Sequence, residues 1–204
     1  MKKIDLIKEL DILIPNPRCE LNYSKDYELL IATMLSAQCT DKRVNEVTDE
    51  FFKKYTLKDI SLMDIKELEK ILRPLGSYTK KAYYTKEIAT HLLNEKNGVV
   101  PNDREYLESL PGVGRKTCNV VLGELYDVPT LAVDTHVERV SKRLGLAKKS
   151  DNVLTIEKKL MKYFDESEYN RVNHQLLLFG RYICKAVNPN CDNCPFNCKE
   201  KVKK

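Results

Sequence analysis

The sequence predicts an all-α fold, and three observations support this prediction. Apolar residues recur at helical spacing in segments such as 65–72 and 156–164. Asp64 and Asn102 each stand three residues before a glutamate and just ahead of an apolar run, which is the spacing of a helix capping box. Strand-like alternation of apolar and polar residues is essentially absent. The chain should therefore consist of helices joined by turns.

The helices follow from where the sequence breaks. Prolines, glycines and asparagines interrupt the helical pattern because they favour turns or cannot continue a helix. The breaks fall at residues 15–17, 75–77, 97–101, 111–114 and 128–129. They divide the chain into about nine or ten short helices.

Composition limits the class of protein. With 204 residues, 42% of them hydrophobic and 32% charged, the chain can bury a sizeable core in one domain or two small lobes. Its longest apolar stretch, 29–37, is far shorter than the roughly 20 residues that span a bilayer, and charges interrupt its first ten residues. We expect a soluble, intracellular protein with no membrane partner. The formal charge of +5 permits an anionic partner.

Residues 110–117 read Leu-Pro-Gly-Val-Gly-Arg-Lys-Thr, a glycine turn at the start of a helix. Helix N-termini attract anions, and Gly112 and Gly114 would let a phosphate approach the main chain while Arg115 adds a charged contact. Lys116 lies in the first helical turn, where positive neighbours favour a neutral, nucleophilic amine. A plain turn and a surface lysine are the alternatives, and spacing alone does not decide between them.

Four of the seven cysteines lie within the segment 184–198, which favours a metal site over a disulfide framework. They are Cys184, Cys191, Cys194 and Cys198. Both zinc and a [4Fe-4S] cluster accept four thiolates, so the spacing leaves both open.

The segments 110–117, 119–122 and 132–136 closely resemble the helix-hairpin-helix and the following segment of the endonuclease III family. The resemblance extends over essentially the whole chain. It implies a helix-hairpin-helix DNA glycosylase fold with two helical lobes, 22–129 and 1–21 plus 130–204, and a DNA-binding cleft between them.

This resemblance implies a bifunctional DNA glycosylase and abasic-site lyase of base excision repair. Its substrates would be oxidised pyrimidines such as thymine glycol, and abasic sites, in double-stranded DNA. Lys116 matches the family's lysine that attacks the sugar C1′, and Asp134 matches the assisting aspartate. A Schiff base then permits β-elimination of the 3′ phosphate. Asp134 also has the position of a helix N-cap and can serve both purposes; His136 is interpreted as structural.

Two further positions follow from the resemblance. Gln38 lies in a Leu-Ser-Ala-Gln loop, where the family's glutamine fills the space left by the extruded nucleotide. The family's Gly-Leu-Tyr turn reads Gly-Ser-Tyr at 76–78. Either Tyr78 is the wedge in place of leucine, or wedging is weaker in this chain. The segment 80–84, Lys-Lys-Ala-Tyr-Tyr, is either a phosphate-contacting strip or a solvated helix face.

The resemblance also favours a [4Fe-4S] cluster over zinc at the four cysteines. The family usually has five residues between the last two cysteines, whereas this chain has the three residues 195–197. We expect a monomer in the cytoplasm, associated with the nucleoid. The alternatives are a relative of the adenine-mismatch glycosylases, which lack the hairpin lysine, and a non-catalytic helix-hairpin-helix DNA-binding module, which needs none of Lys116, Asp134 and Gln38.

Overall fold

The computed structural model describes residues 3–192, 194–196 and 198, and these residues confirm the all-α prediction. They form eleven α-helices and two short 3₁₀ helices, with no strand. The α-helices are α1 Lys3–Leu13, α2 Asp26–Leu35, α3 Asp41–Lys54, α4 Leu57–Leu62, α5 Ile65–Leu72, α6 Tyr78–Lys96, α7 Arg104–Ser109, α8 Arg115–Tyr126, α9 Thr135–Leu144, α10 Val153–Tyr163 and α11 Tyr169–Tyr182. The 3₁₀ helices are Arg73–Leu75 and Glu166–Glu168. None of the described helices is both long and apolar enough to cross a membrane.

The expected number of helices, nine or ten, is too low for a physical reason. Helices α4 and α7 have six residues each. A helix of that length completes fewer than two turns, so its sequence hardly shows a helical period.

The predicted helix starts are right in one case and wrong by one residue in the other. The Asp64 carboxylate accepts two backbone N–H groups in the first turn of α5, at 2.8 and 3.3 Å. Helix α7 is capped by Asp103 and not by Asn102, because the Asp103 carboxylate accepts the N–H of Tyr106 at 3.0 Å.

The chain divides into two compact units, Glu20–Tyr126, and Met1–Cys19 with Asp127–Lys204. In the unit Glu20–Tyr126, α2 is the central helix, because nine of its ten residues are buried. Helices α3, α6 and α8 all pack against it, and α4 and α5 pack against α6. A helix that is apolar on every side is stable only when neighbours surround it, so α2 fixes where those helices lie.

The other unit packs α1 and α9 against α11, with α10 against α9. Its core contains Leu6 and Leu10 of α1, Val137 and Val140 of α9, and Phe179 of α11, all fully buried. The core extends to Phe196, whose ring lies edge-on to that of Phe179 at 5.2 Å. The cysteine-containing segment is therefore anchored to the helical core by an aromatic contact.

Candidate functional site

The turn between α7 and α8 is a tight hairpin with an apolar underside. Leu110 and Val113 are buried, and the N–H of Val113 donates to the carbonyl of Leu110 at 3.1 Å. Gly112 has a φ of +80°, and a Cβ atom there would lie 2.5 Å from Cδ2 of Tyr84. Glycine is thus required at this position by both the backbone and the contact. Tyr84 is half-buried and its ring packs against the hairpin at Gly112, so only part of the ring can meet solvent or a ligand.

The second glycine of the hairpin leaves the start of α8 open. A Cβ atom at Gly114 would meet no atom within 4 Å, and the helix begins at the next residue, Arg115. The first turn of α8 contains no acidic residue. Its backbone N–H groups have no partner within the helix and carry the positive end of the helix dipole. An anion can therefore reach the main chain here.

Lys116 is the second residue of α8 and is exposed. Among the described residues, no acidic side chain forms an ion pair with it. Its amine therefore stands at the same helix end that attracts anions. This arrangement would place a nucleophile beside a bound phosphate.

Asp134 is the N-cap of α9, in the unit that contains α1 and α11. Its Oδ1 accepts the backbone N–H groups of His136 and Val137, both at 2.8 Å. Both bonds are made to Oδ1, and within the described part of the chain no hydrogen bond to Oδ2 is observed. The His136 ring is itself held, since Nδ1 lies 3.1 Å from Nη2 of Arg139. The structure thus gives Asp134 the capping role and is compatible with a second role through Oδ2.

Two arginines of α9 donate hydrogen bonds to carbonyls at the end of α11 and just after it. Arg139 donates to the carbonyl of Gly180 at 2.7 Å and to that of Cys184 at 3.1 Å. Arg143 donates to the carbonyl of Lys185 at 2.7 Å. The helix that begins at Asp134 therefore also fixes where the cysteine segment starts.

The four C-terminal cysteines line one cavity with largely apolar walls. The other lining residues are Arg143, Leu144, Phe179, Ile183, Pro189, Asn190 and Phe196. Nη1 of Arg143 lies 3.4 Å from Sγ of Cys184. Burial raises the pKa of the Cys194 thiol, and the charges of the other three thiolates raise it further.

This set of donors fits a group that carries positive charge and binds several sulfur atoms. Four thiolates around an apolar cavity repel one another unless a metal group compensates their charge. Within residues 3–192, 194–196 and 198, no three His, Cys, Asp or Glu side chains form a set that could hold a metal ion in the present arrangement. The donor chemistry, and not a formed metal geometry, supports the site.

Gln38 lies in an exposed loop between α2 and α3, in an unusual backbone conformation. Its φ is +56°, which lies in the left-handed region that residues other than glycine and asparagine rarely adopt. The N–H of Cys39 donates to the carbonyl of Ser36 at 3.0 Å, which closes the loop. Surrounding structure must hold such a residue in place, and this kind of strain occurs often at functional sites.

A second left-handed turn precedes α6. Gly76 and Ser77 have φ values of +65° and +45°, and Tyr78 is the first residue of the helix, with 36% of its surface exposed. Tyr78 is therefore partly accessible to solvent, and its role as a wedge stays a prediction.

Sequence reasoning missed Lys81, which it placed with the exposed residues of α6. Only 5% of Lys81 is exposed, and Nζ donates to the carbonyl of Leu75 at 2.8 Å. The neighbouring residues Lys80 and Tyr83 are exposed. A lysine within a charged segment gives no sequence signal of burial, apart from its position next to the buried Ala82 and one turn before Thr85.

A family model described as the HhH-GPD superfamily of base excision DNA repair proteins matches residues 31–166. Endonuclease III of Bacillus subtilis is 43% identical to this chain over 197 residues, which are 96% of the chain and 90% of that protein. Endonuclease III of Escherichia coli K12 is 40% identical over 194 residues, or 95% and 92%.

A solved structure gives the same relationship in three dimensions. It is that of a trapped covalent intermediate between endonuclease III and DNA, and it matches with a TM-score of 0.93 at 45% identity. The match covers 98% of this chain and 97% of that one. The similarity therefore includes both compact units and is not restricted to the hairpin.

Proposed function

This chain belongs to the endonuclease III family of HhH-GPD base excision DNA repair proteins, and we propose that Lys116 and Asp134 carry its chemistry. It is a DNA glycosylase and lyase that acts on double-stranded DNA. The finer proposal is that it removes oxidised pyrimidines, such as thymine glycol, and cleaves the strand at abasic sites.

Lys116 is the proposed nucleophile. Its neutral amine attacks the sugar C1′, the glycosidic bond breaks, and the base leaves with a proton. Loss of the amine proton and opening of the sugar ring give a Schiff base between Nζ and C1′. Removal of a proton from C2′ then expels the 3′ phosphate by β-elimination, and hydrolysis releases Lys116.

Asp134 is proposed to support these steps with Oδ2. A carboxylate stabilises positive charge that develops on the sugar and can transfer protons during ring opening. Because Oδ1 is held by two backbone N–H groups, the carboxylate needs no rearrangement before reaction. Preorganisation of this kind is what makes an electrostatic contribution effective.

The hairpin is proposed to bind a phosphate of the damaged strand. The open backbone at Gly114 admits a phosphate, Gly112 gives the turn its shape, and Arg115 adds a charged contact. Gln38 and Tyr78 are proposed to enter the duplex, where Gln38 faces the orphaned base and Tyr78 separates the stack. The amide of Gln38 offers both donors and acceptors, which suits an opposing base of any identity.

The four cysteines are proposed to hold a [4Fe-4S] cluster. Such a cluster, when bound, cross-links the segment 184–198 and compensates the charge of four thiolates. Arg143, 3.4 Å from Sγ of Cys184, would donate to that ligand and help neutralise it. The proposed role is structural: the anchored segment would present Lys185 to DNA.

We also propose that the enzyme acts as a monomer. We place it in the cytoplasm, at the nucleoid, because DNA is its substrate.

One observation carries the mechanistic proposal: Lys116, in the first turn of α8, is exposed beside the open backbone of Gly114 and has no ion pair with any of the described residues. The test is borohydride trapping on duplex DNA with a single thymine glycol or a single abasic site. Wild-type protein should form a covalent adduct with both, and Lys116→Gln with neither. Lys58→Gln, which changes an exposed lysine of α4, is the matched control and should form adducts normally.

Each alternative predicts a different result. A non-catalytic DNA-binding module would bind both duplexes and yield no adduct with either. A relative of the adenine glycosylases would release adenine opposite a damaged guanine without forming an adduct. If Lys116→Gln still forms the adduct, the assignment of the nucleophile is wrong.

A further inference from the structure

Two loops of the unit Glu20–Tyr126 share an unusual property. The first, residues 36–40, is called the Gln38 loop, and the second, residues 76–78, is called the Tyr78 turn. Each contains a non-glycine residue with positive φ, Gln38 and Ser77. Neither conformation is favourable by itself, so contacts elsewhere must hold each loop in place.

Lys81 supplies such a contact for the Tyr78 turn. From the first turn of α6 it reaches back beneath the turn, where Nζ donates to the carbonyl of Leu75 at 2.8 Å. The N–H of Lys81 also donates to the carbonyl of Ser77 at 3.1 Å. Backbone and side chain of one residue thus hold both ends of the left-handed pair Gly76 and Ser77.

The Lys81 ammonium group is buried against the 3₁₀ helix that precedes the turn. Only 5% of the residue is exposed, and burial lowers the pKa of its amine. Its contact to the Leu75 carbonyl is therefore made by a largely desolvated group.

Arg43 joins the end of the Gln38 loop to the 3₁₀ helix that precedes the Tyr78 turn. Its backbone N–H donates to the Thr40 side chain at 3.3 Å, which ends the Gln38 loop and begins α3. Its Nε donates to the carbonyl of Pro74 at 3.4 Å. The 3₁₀ helix before the Tyr78 turn therefore receives one cation from α3 and one from α6, at consecutive carbonyls.

Burial of a lysine is costly, since an apolar side chain would fill the same space without desolvating a charge. A lysine buried at this point therefore suggests a specific requirement. We propose that Lys81 is a positioning residue that holds the Tyr78 turn on the 3₁₀ helix, which Arg43 in turn joins to the Gln38 loop, so that Gln38 and Tyr78 enter the duplex as one rigid unit. Lys81 itself touches neither DNA nor the reacting atoms. This inference rests on the proposed insertion of Gln38 and Tyr78.

The test compares two substrates that differ in the need for extrusion. One duplex contains an abasic site opposite an adenine, so the nucleotide must leave the helix. In the other the abasic nucleotide is an unpaired bulge, which is already outside the stack. The measured quantity is the single-turnover cleavage rate on the paired site divided by the rate on the bulged site. This ratio reports the contribution of inserting Gln38 and Tyr78, because a general loss of activity lowers both rates equally.

Lys81→Met should lower this ratio about tenfold or more, whereas the rate on the bulged site should stay within about twofold of wild type. Lys81→Arg keeps a cation that reaches a carbonyl and should keep the ratio near the wild-type value. Lys86→Met is the matched control, because Lys86 is a partly buried lysine of the same helix that donates to the carbonyl of Met63 at 2.7 Å. It should leave the ratio unchanged.

Equal ratios for Lys81→Met and Lys86→Met would overturn the proposal, as would a Lys81→Met variant that loses both rates in proportion. If Lys81→Met does not fold, Lys81→Gln, which retains a donor without the charge, is measured on the same pair of substrates and is expected to lower the ratio. Absence of cleavage by the wild-type protein on both substrates would refute the proposed function instead. The two failures are therefore distinguishable.

Discussion

Substitution of Gly112 by alanine should destabilise the unit Glu20–Tyr126 through two separate effects. The first is the backbone: at φ +80°, an alanine costs about 1–2 kcal/mol relative to its preferred conformation. The second is the contact: a Cβ atom 2.5 Å from Cδ2 and 2.8 Å from Cγ of Tyr84 must displace a packed ring, and overpacking typically costs about 1–3 kcal/mol. Lower entropy of the unfolded chain offsets about 0.4–1 kcal/mol. The free energy of unfolding should fall by about 1–5 kcal/mol in total.

Gly98 provides the matched control in the same unit. Its φ is +79°, but a Cβ atom there would meet only ordinary contacts at 3.5 Å, with Leu57 and Leu93. Gly98→Ala should therefore show the backbone effect alone, about 1 kcal/mol or less after the entropy of the unfolded chain is included. The assay is urea denaturation followed by the helical circular dichroism signal, with the difference between the two variants as the measured quantity.

A double variant isolates the ring. In a Tyr84→Ala background the clash disappears, so Gly112→Ala should cost no more than Gly98→Ala does in the wild-type protein. Equal destabilisation by Gly112→Ala and Gly98→Ala in the wild-type background would refute the argument, since it would mean that Tyr84 moves aside without cost. DNA affinity should fall with Gly112→Ala as the hairpin shifts.

Three further predictions concern the other site residues. Asp134→Asn should keep the cap of α9 and the melting temperature, because asparagine caps as well as aspartate, yet slow base release in single-turnover assays; an unchanged rate removes Asp134 from the mechanism. Cys184→Ser should lose most of the iron, about four per chain in the wild type, whereas Cys39→Ser should retain it; stoichiometric zinc without iron contradicts the cluster assignment. Gln38→Gly should change the free energy of unfolding by less than about 1 kcal/mol, since glycine accepts positive φ, but should cut excision of thymine glycol from duplex DNA; full excision would exclude insertion by Gln38.

The sequence predicts the long helices well and the short ones poorly. The segment 65–72 repeats its apolar positions through two turns and is capped by Asp64, so α5 is recognised from local signals alone. Helix α7 is too short for such a repeat, and its cap at Asp103 stands beside Asn102, which is an equally good capping residue. The local sequence therefore does not decide between these two neighbouring residues.

Some features of the candidate site could be predicted from the sequence and others could not. The hairpin and the four cysteines are visible as motifs, and the structure shows the cysteines around one cavity. The positive φ of Ser77 and the burial of Lys81 could not be predicted, because both depend on how α3, α6 and the intervening 3₁₀ helix pack together. The sequence around a charged residue in a charged segment does not indicate whether that residue is buried or which group it contacts.

Because Asp134 caps α9, its proposed role in base release depends on whether the first turn of that helix is intact. The N–H groups of His136 and Val137 hold Oδ1 and thereby orient the whole carboxylate, including Oδ2. The orientation is kept only while the first turn of α9 is formed. Helix ends open locally at a lower free energy than the whole protein unfolds. Warming should therefore disorder the Asp134 carboxylate before the fold is lost. If this carboxylate transfers protons as proposed, amide exchange at positions 136 and 137 would follow the same temperature course as the loss of base release. Activity would then be lost at the temperature at which the first turn of α9 opens, below the melting temperature of the protein.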